Sequence, residues 1–254
     1  MMRPIDKMSV LITGAGSGLG AGTARYFAER GAAVTICGRR AEKIDTVARD
    51  IGPRCLAVQG DVTVAADRER VMAAALKHGG GLDALINNAG NMLRGPITEL
   101  DEQALLDVFH TNVVAGMMFT GLATPHLAAR KGAVIFIGSI HTRRAFPGAS
   151  PYAATKGAVE TLTRVLAAEL GGQGIRVNCV LPGGVFTEIN QRAGLMDDKT
   201  ALERLNTMAS LHALGRIGTE EEIAEAIDYL VRAEWTTGAS LAVDGGLGLG
   251  VSQG

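Results

Sequence analysis

Short β-branched runs alternate with longer amphipathic stretches along this chain, and that alternation leaves few folds open. Residues 9–13, 33–37, 55–58, 84–86, 133–137, 175–180 and 240–243 read as strands. Between them, residues 18–30, 41–51, 65–78, 101–130, 151–170 and 219–232 carry helical spacing. Most of the strands are apolar throughout, as expected where helices cover both faces of a parallel sheet. Strict β/α alternation with short connections requires right-handed crossovers and predicts an α/β, doubly wound parallel sheet. No linker, repeat or low-complexity block divides the chain, so residues 1–254 read as one domain. The least regular stretch, 182–198, is expected to be a mobile loop.

Charge and apolar patterning narrow the function classes. Lys and Arg total 25 against 26 Asp and Glu, a formal net charge of −1. A protein that neutralises nucleic-acid phosphates or docks on anionic lipid needs a basic face, so neither partner is expected. Hydrophobic residues make up 47% and charged ones 20%, a globular rather than a disordered composition. The first seven residues lack the apolar run of a secretion signal, and no uninterrupted apolar stretch is long enough for a membrane span. The nearest candidate, 113–129, is broken by Thr120, Thr124, Pro125 and His126. Cys37, Cys55 and Cys179 are odd in number and far apart, which predicts buried thiols in a reduced, cytoplasmic protein.

A glycine loop follows the first strand: Thr13-Gly14-Ala15-Gly16-Ser17-Gly18-Leu19-Gly20, with a helix after it. The spacing is G-x-x-x-G-x-G at Gly14, Gly18 and Gly20. Glycines permit a tight turn and close approach, while a helix N-terminus offers N–H groups and a positive dipole end to a pyrophosphate. No G-x-x-x-x-G-K-[ST] pattern supports a nucleoside-triphosphatase. The second strand runs out at Cys37-Gly38-Arg39-Arg40, where a cofactor with a free ribose 2′-hydroxyl usually meets an Asp or Glu. A small residue followed by a guanidinium suits a 2′-phosphate instead, so NADP(H) is favoured, through Arg39, over NAD(H). The alternative for these arginines, Arg40 above all, is a solvated charge at a helix start.

Tyr152 and Lys156 are four residues apart near the start of a predicted helix, which places them on one face. A free phenol, with a pKa of about 10, is a poor base at neutral pH. An ammonium about 4 Å away contributes roughly 4 kcal/mol at an effective dielectric of about 20. The sequence therefore predicts a phenol of pKa about 7, suited to general acid/base work. Ser139 follows the strand 133–137 and so sits at a carboxyl end, the edge where such sheets bind ligands. Its hydroxyl is placed to hold a reacting oxygen.

Taken together, Thr13–Gly20, Asp61, Asn87-Asn88-Ala89-Gly90, Asn112, Ser139, Tyr152, Lys156, Pro182-Gly183 and Asp244-Gly245-Gly246 resemble the short-chain dehydrogenase/reductase family, in its compact single-domain branch. The resemblance covers essentially the whole chain. It implies a Rossmann-type sheet of seven parallel strands in order 3-2-1-4-5-6-7, NAD(P)-dependent interconversion of a carbonyl and an alcohol, and a homotetramer. It implies that Tyr152 is the general acid/base, that Lys156 lowers its pKa and bonds the nicotinamide ribose, and that Ser139 polarises the carbonyl. Asn112 would shape the long helix and hold a water for proton relay. Cofactor contacts would come from Gly14, Ser17, Gly18, Leu19 and Gly20. Asp61 with Val62 would lie at the adenine, and Asn88, Ala89 and Gly90 along the cofactor. Pro182 and Gly183 would follow, with Val185 and Thr187 fixing the carboxamide.

The remaining expectations concern the pocket. Histidines 78, 110, 126, 141 and 212 show no metal-ligand spacing, so no catalytic metal is expected. His141, two residues after Ser139, is expected at the pocket rim without a chemical part, with a direct substrate contact as the alternative. Arg94, Arg143 and Arg144 are placed near the mouth, and Met92, Leu93, Ile140, Phe146, Phe186 and Leu195 make a partly apolar pocket. The leading reading is a reductase or dehydrogenase for a small-molecule ketone or secondary alcohol. A 3-oxoacyl thioester reductase is the alternative, because rim arginines suit an acidic carrier protein. A non-catalytic dinucleotide-binding regulator would need a damaged tetrad, and all four members are present.

Overall fold

The structure, a computed structural model, describes residues 2–185, 187, 200 and 207–250. Its strands are β1 (Ser9–Thr13), β2 (Ala33–Gly38), β3 (Cys55–Gln59), β4 (Ala84–Asn87), β5 (Ala133–Ile137), β6 (Arg176–Pro182) and β7 (Ser240–Val243). They form one sheet in the order β3-β2-β1-β4-β5-β6-β7, and every pairing is parallel. The helices that connect them are α1 (Gly18–Glu29), α2 (Ala41–Ile51), α3 (Ala65–Gly79), α4 (Glu102–Phe109), α5 (Ala115–Arg130), α6 (Ser150–Gly171) and α7 (Glu220–Arg232).

The apolar strands are apolar because both faces are covered. Every residue of β1, β5 and β6 is buried. Val10 and Ile12 of β1 face a core with Phe27 of α1, Ile44 of α2 and Ile227 of α7. Leu11 between them joins Val71 of α3, Phe119 of α5 and Val159 of α6 on the other face. Period-two alternation thus divides one strand between two cores. The chain winds from β1 out to β3, then returns to place β4 on the other side of β1. That reversal opens a crevice beyond the carboxyl ends of β1 and β4, the ligand-binding position of such sheets.

One predicted element differs. The stretch 101–130, read as a single helix, is interrupted by a π-helical turn at His110–Val114. A single π turn has no composition signature of its own, so the apolar pattern of 101–130 does not reveal it. Its cause is a side chain: Asn112, buried inside the turn, is bonded to the loop after β4 and to α6. At α7, the Thr219 hydroxyl and Glu222 carboxylate form a reciprocal capping box.

Candidate active site

The glycine loop is shaped by close backbone approach. A Cβ on Gly14 would lie 2.6 Å from Ala89 Cα, and one on Gly20 would lie 2.5 Å from Asn88 Nδ2. Gly14 also has φ +66°, where L side chains are strained. The loop is held from β4. Asn88 Nδ2 donates to the carbonyls of Thr13 (2.8 Å) and Gly14 (3.0 Å), and Thr13 Oγ1 accepts from the N–H groups of Asn88 and Ala89. Ser17, at the N-cap of α1, makes no side-chain cap, and the first turn holds no acidic residue. The helix therefore turns its N-terminal amides and dipole toward the crevice, a fit to a pyrophosphate.

Two hollows meet at this loop. The first is lined by Gly14, Ser17, Arg39, Asp61, Val62, Ala89 and Gly90, together with Gly38 and Arg40. Arg39 is exposed there, and Gln59 donates to its backbone carbonyl. The Asp61 carboxylate accepts from the Thr63 N–H and hydroxyl, which fixes it at the hollow's edge. The second hollow runs from Gly14, Ser17, Gly18 and Leu19 past Asn88 to Ser139, Tyr152 and Lys156. Pro182, Gly183, Val185 and Thr187 also line it, so all the predicted contacts of that loop come together. Phe186 and Leu195 lie outside the described residues.

The loop after β6 has a brace that the sequence reading missed. Buried His212 accepts from the Gly184 N–H at 3.2 Å through Nε2, and its Nδ1 donates to the Met208 carbonyl at 3.0 Å. Nothing in the spacing of the histidines signals this, because the partner groups are backbone.

Ser139, Tyr152, Lys156 and Asn112 are all buried. Lys156 Nζ donates to the Ile137 carbonyl at 2.7 Å and stands 5.5 Å from the Tyr152 ring centre. This corrects the expected electrostatics. Burial pushes the Tyr152 phenol above its usual value, and what opposes the rise is a hydrogen bond from Ser139 and the Arg94 charge. Lys156 is itself lowered to about 8 by burial and still carries its proton at neutral pH. Asn112 is fixed by three side-chain hydrogen bonds. Its two amide hydrogens go to the Asn91 carbonyl (2.9 Å) and Thr155 Oγ1 (3.0 Å), and its oxygen accepts from the Asn91 N–H (2.7 Å). The side chain braces the loop after β4 against α6, with both amide hydrogens committed.

His141 is not merely at the rim. Its Nδ1 is 3.0 Å from Ser139 Oγ, its Nε2 is 3.4 Å from Arg94 Nη2, and its ring meets those of Tyr152 and Phe146. Burial, followed by the charges of Arg94 and Lys156, lowers its pKa to about 4. Of the three arginines expected at the mouth, Arg94 lines the hollow. Arg143 is ion-paired with Glu160, and Arg144 donates to the Leu247 carbonyl. Met92, Ile140 and Phe146 line the hollow as expected. Among the described residues, no three His, Cys, Asp or Glu side chains gather as a metal site.

A dinucleotide-sized crevice ending at a serine, a buried phenol and a lysine defines a nicotinamide-dependent oxidoreductase built on a doubly wound sheet. A family model described as enoyl-(acyl carrier protein) reductase matches residues 14–248. Cis-4-hydroxycyclohexanecarboxylate dehydrogenase of Sinomonas cyclohexanicum is 41% identical over 243 residues, spanning 93% of this chain and 94% of that protein. Bovine L-fucose dehydrogenase is 36% identical over 249 residues, spanning 96% of this chain and 90% of the relative. A crystal structure of a 3-ketoacyl-(acyl-carrier-protein) reductase from Brucella melitensis, complexed with NADH, has a TM-score of 0.86 at 31% identity, covering 95% of this chain and 98% of that one. The chain belongs to the short-chain dehydrogenase/reductase family. It is an NAD(P)-dependent oxidoreductase acting on small molecules.

Proposed function

We propose that this enzyme interconverts a ketone or aldehyde and an alcohol on a small molecule, with Tyr152 as general acid/base. The observation that carries the reading is the shared hollow in which the glycine loop, Ser139 and the Tyr152 phenol face one space. When bound, the nicotinamide supplies or accepts the hydride. The residues supply the rest. Burial keeps the phenol protonated at neutral pH, so Tyr152 is a proton donor for an oxygen that gains negative charge in the reductive direction. Ser139 donates a hydrogen bond to that oxygen as charge develops. Lys156, held by Ile137, lies beside Gly90 at the cofactor end, in reach of a ribose. The substrate end, with Met92, Ile140, Phe146 and Met208, is partly apolar.

The 2′-phosphate of NADP(H) is the favoured ligand of Arg39, because the hollow beside β2 offers Gly38 and a guanidinium where an acid would select NAD(H). Exposed Leu106, Val114, Met117 and Met118 on the α4–α5 run, with Val165 on α6, supply a face for a homotetramer. The run Glu102–Arg130 is long and apolar enough by composition to cross a bilayer. Phe119, Ala123 and Leu127 bury its other face on the sheet, which favours a subunit contact. Free, buried Cys37, Cys55 and Cys179 fit a reducing, cytoplasmic setting.

A 3-oxoacyl thioester substrate is the second reading, favoured by the fold match to the Brucella reductase. NADPH oxidation on a panel of ketones, hydroxyacid-derived ketones and acetoacetyl thioesters separates the two. Tyr152→Phe is expected to bind dinucleotide normally and to lose turnover by about 10²- to 10⁴-fold. Near-normal turnover in that variant overturns the reading.

A further inference from the structure

Hydrogen-bond direction can be assigned along Arg94, His141 and Ser139. A guanidinium has N–H donors and no acceptor, so its contact with His141 Nε2 at 3.4 Å makes Nε2 the acceptor. The imidazole proton then resides on Nδ1, which donates to Ser139 Oγ at 3.0 Å. The His141 backbone N–H donates to the same oxygen at 3.3 Å. A hydroxyl oxygen has two lone pairs and one hydrogen. With both lone pairs taken by His141, the serine O–H is left to donate into the hollow that Ser139 shares with Tyr152.

We propose that Arg94 and His141 are positioning residues that set the polarity of Ser139, holding its hydroxyl as a donor toward the reacting oxygen. This rests on the roles read above for Ser139 and Tyr152. With the opposite tautomer, Nδ1 would accept the serine O–H and turn it away from that oxygen. Several groups surround the ring. Arg94 comes from the loop after β4, Phe146 from the segment before α6, and Tyr152 and Lys156 from α6. Among them, Arg94 alone meets Nε2 with a fixed donor. Burial and the two cations keep the ring neutral, which the chain requires, since a protonated Nε2 repels the guanidinium.

The decisive measurement is the ¹⁵N spectrum of the histidine side chains in the cofactor-free protein at neutral pH, with His141 assigned through His141→Gln. The Nδ1–H tautomer is expected, with a shift toward Nε2–H in Arg94→Met. An Nε2–H tautomer in the unaltered protein overturns the proposal. Kinetics supply a second arm. Arg94→Met is expected to lower kcat for carbonyl reduction by about tenfold, less than the 10²- to 10³-fold typical of removing an oxyanion donor outright. Arg94→Lys, which retains a donor, is expected to recover most of that loss, whereas a space-filling role would be served as well by Met. In a Ser139→Ala background, Arg94→Met is expected to add nothing. A full additional loss there would mean that Arg94 acts on substrate or on Tyr152 directly, and would overturn the proposal. Tyr152→Phe, run alongside, keeps the two readings apart: if it stays active, the catalytic assignment fails, whatever the tautomer.

Discussion

Asn112 holds both backbone polar groups of Asn91, accepting from its N–H at 2.7 Å and donating to its carbonyl at 2.9 Å. The second amide hydrogen goes to Thr155 Oγ1, and Thr155 in turn donates to the Tyr152 carbonyl. One carboxamide on a π turn thus ties the loop that carries Gly90 to the helix that carries Tyr152. Asn112→Ala leaves two backbone groups of Asn91 without these partners, at about 1–3 kcal/mol for each that stays buried. A stability loss of about 2–4 kcal/mol is expected by urea unfolding, against about 1 kcal/mol for Thr155→Val. Equal losses in the two variants would show that the Asn91 contacts contribute little.

The strands, the winding and the glycine loop were legible because each leaves a local trace: β-branched runs, 3.6-residue spacing, and glycines where the chain must turn back on itself. Ser139, Tyr152 and Lys156 were legible as types at spacings that the resemblance interprets. The direction of the forces on them was not. The spacing of Tyr152 and Lys156 puts them on one helix face, but the Ile137 carbonyl that captures the ammonium belongs to a strand. Only burial, a three-dimensional property, reverses the expected shift of the phenol. His212 and the π turn escaped for the same reason, since the Gly184 N–H that His212 accepts from and the Asn91 and Thr155 groups that Asn112 bonds lie 21 to 43 residues away along the chain. Arg143 and Arg144 read as mouth charges until Glu160 and the Leu247 carbonyl were seen to engage them.

Cofactor choice turns on the end of β2. Arg39→Ala is expected to weaken NADP(H) by about ten- to a hundredfold, the equivalent of about 1.5–3 kcal/mol for a charge-assisted contact, and to leave NAD(H) nearly unchanged. Gly38→Asp adds repulsion toward a 2′-phosphate and an acceptor for ribose hydroxyls, a combination that changes specificity further. A Cβ at that position meets only Ile44 Cγ2, at 3.1 Å, so a flexible neighbour must give slightly. Ratios of kcat/KM for the two cofactors test both. A clear preference for NAD(H) in the unaltered enzyme would make Arg39 a surface charge.

Assembly is testable through the exposed apolar face. Met117 and Met118 are 45% and 52% exposed, next to Val114 at 41%. Sedimentation equilibrium is expected to give a closed tetramer, and Met118→Glu to shift it toward smaller species, because a carboxylate buried at a contact without a partner is strongly disfavoured. A 26.4 kDa particle at micromolar concentration for the unaltered chain would exclude this face as an interface.

Acid stability should carry the signature of His141. Its pKa is lowered to about 4 by burial first, then by Arg94 and Lys156, whereas an unfolded histidine titrates at about 6.5. Between these values the unfolded chain binds more protons than the folded one, so stability rises with pH across that window and falls on acidification through it. The full difference corresponds to about 3 kcal/mol, developed by pH about 4 and absent above pH about 7. His141→Gln removes the titrating group while keeping a side chain able to hydrogen-bond Ser139. The variant is therefore expected to be less sensitive to acid than the unaltered protein between pH 7 and 4, whatever its stability at neutral pH. Arg94→Met should fall between the two, because removing a neighbouring cation raises the His141 pKa while leaving the larger effect of burial in place. Urea midpoints measured across this pH range check the order of the three proteins. Parallel curves for the unaltered protein and His141→Gln would mean that His141 gains a proton in the folded state as easily as in the unfolded one.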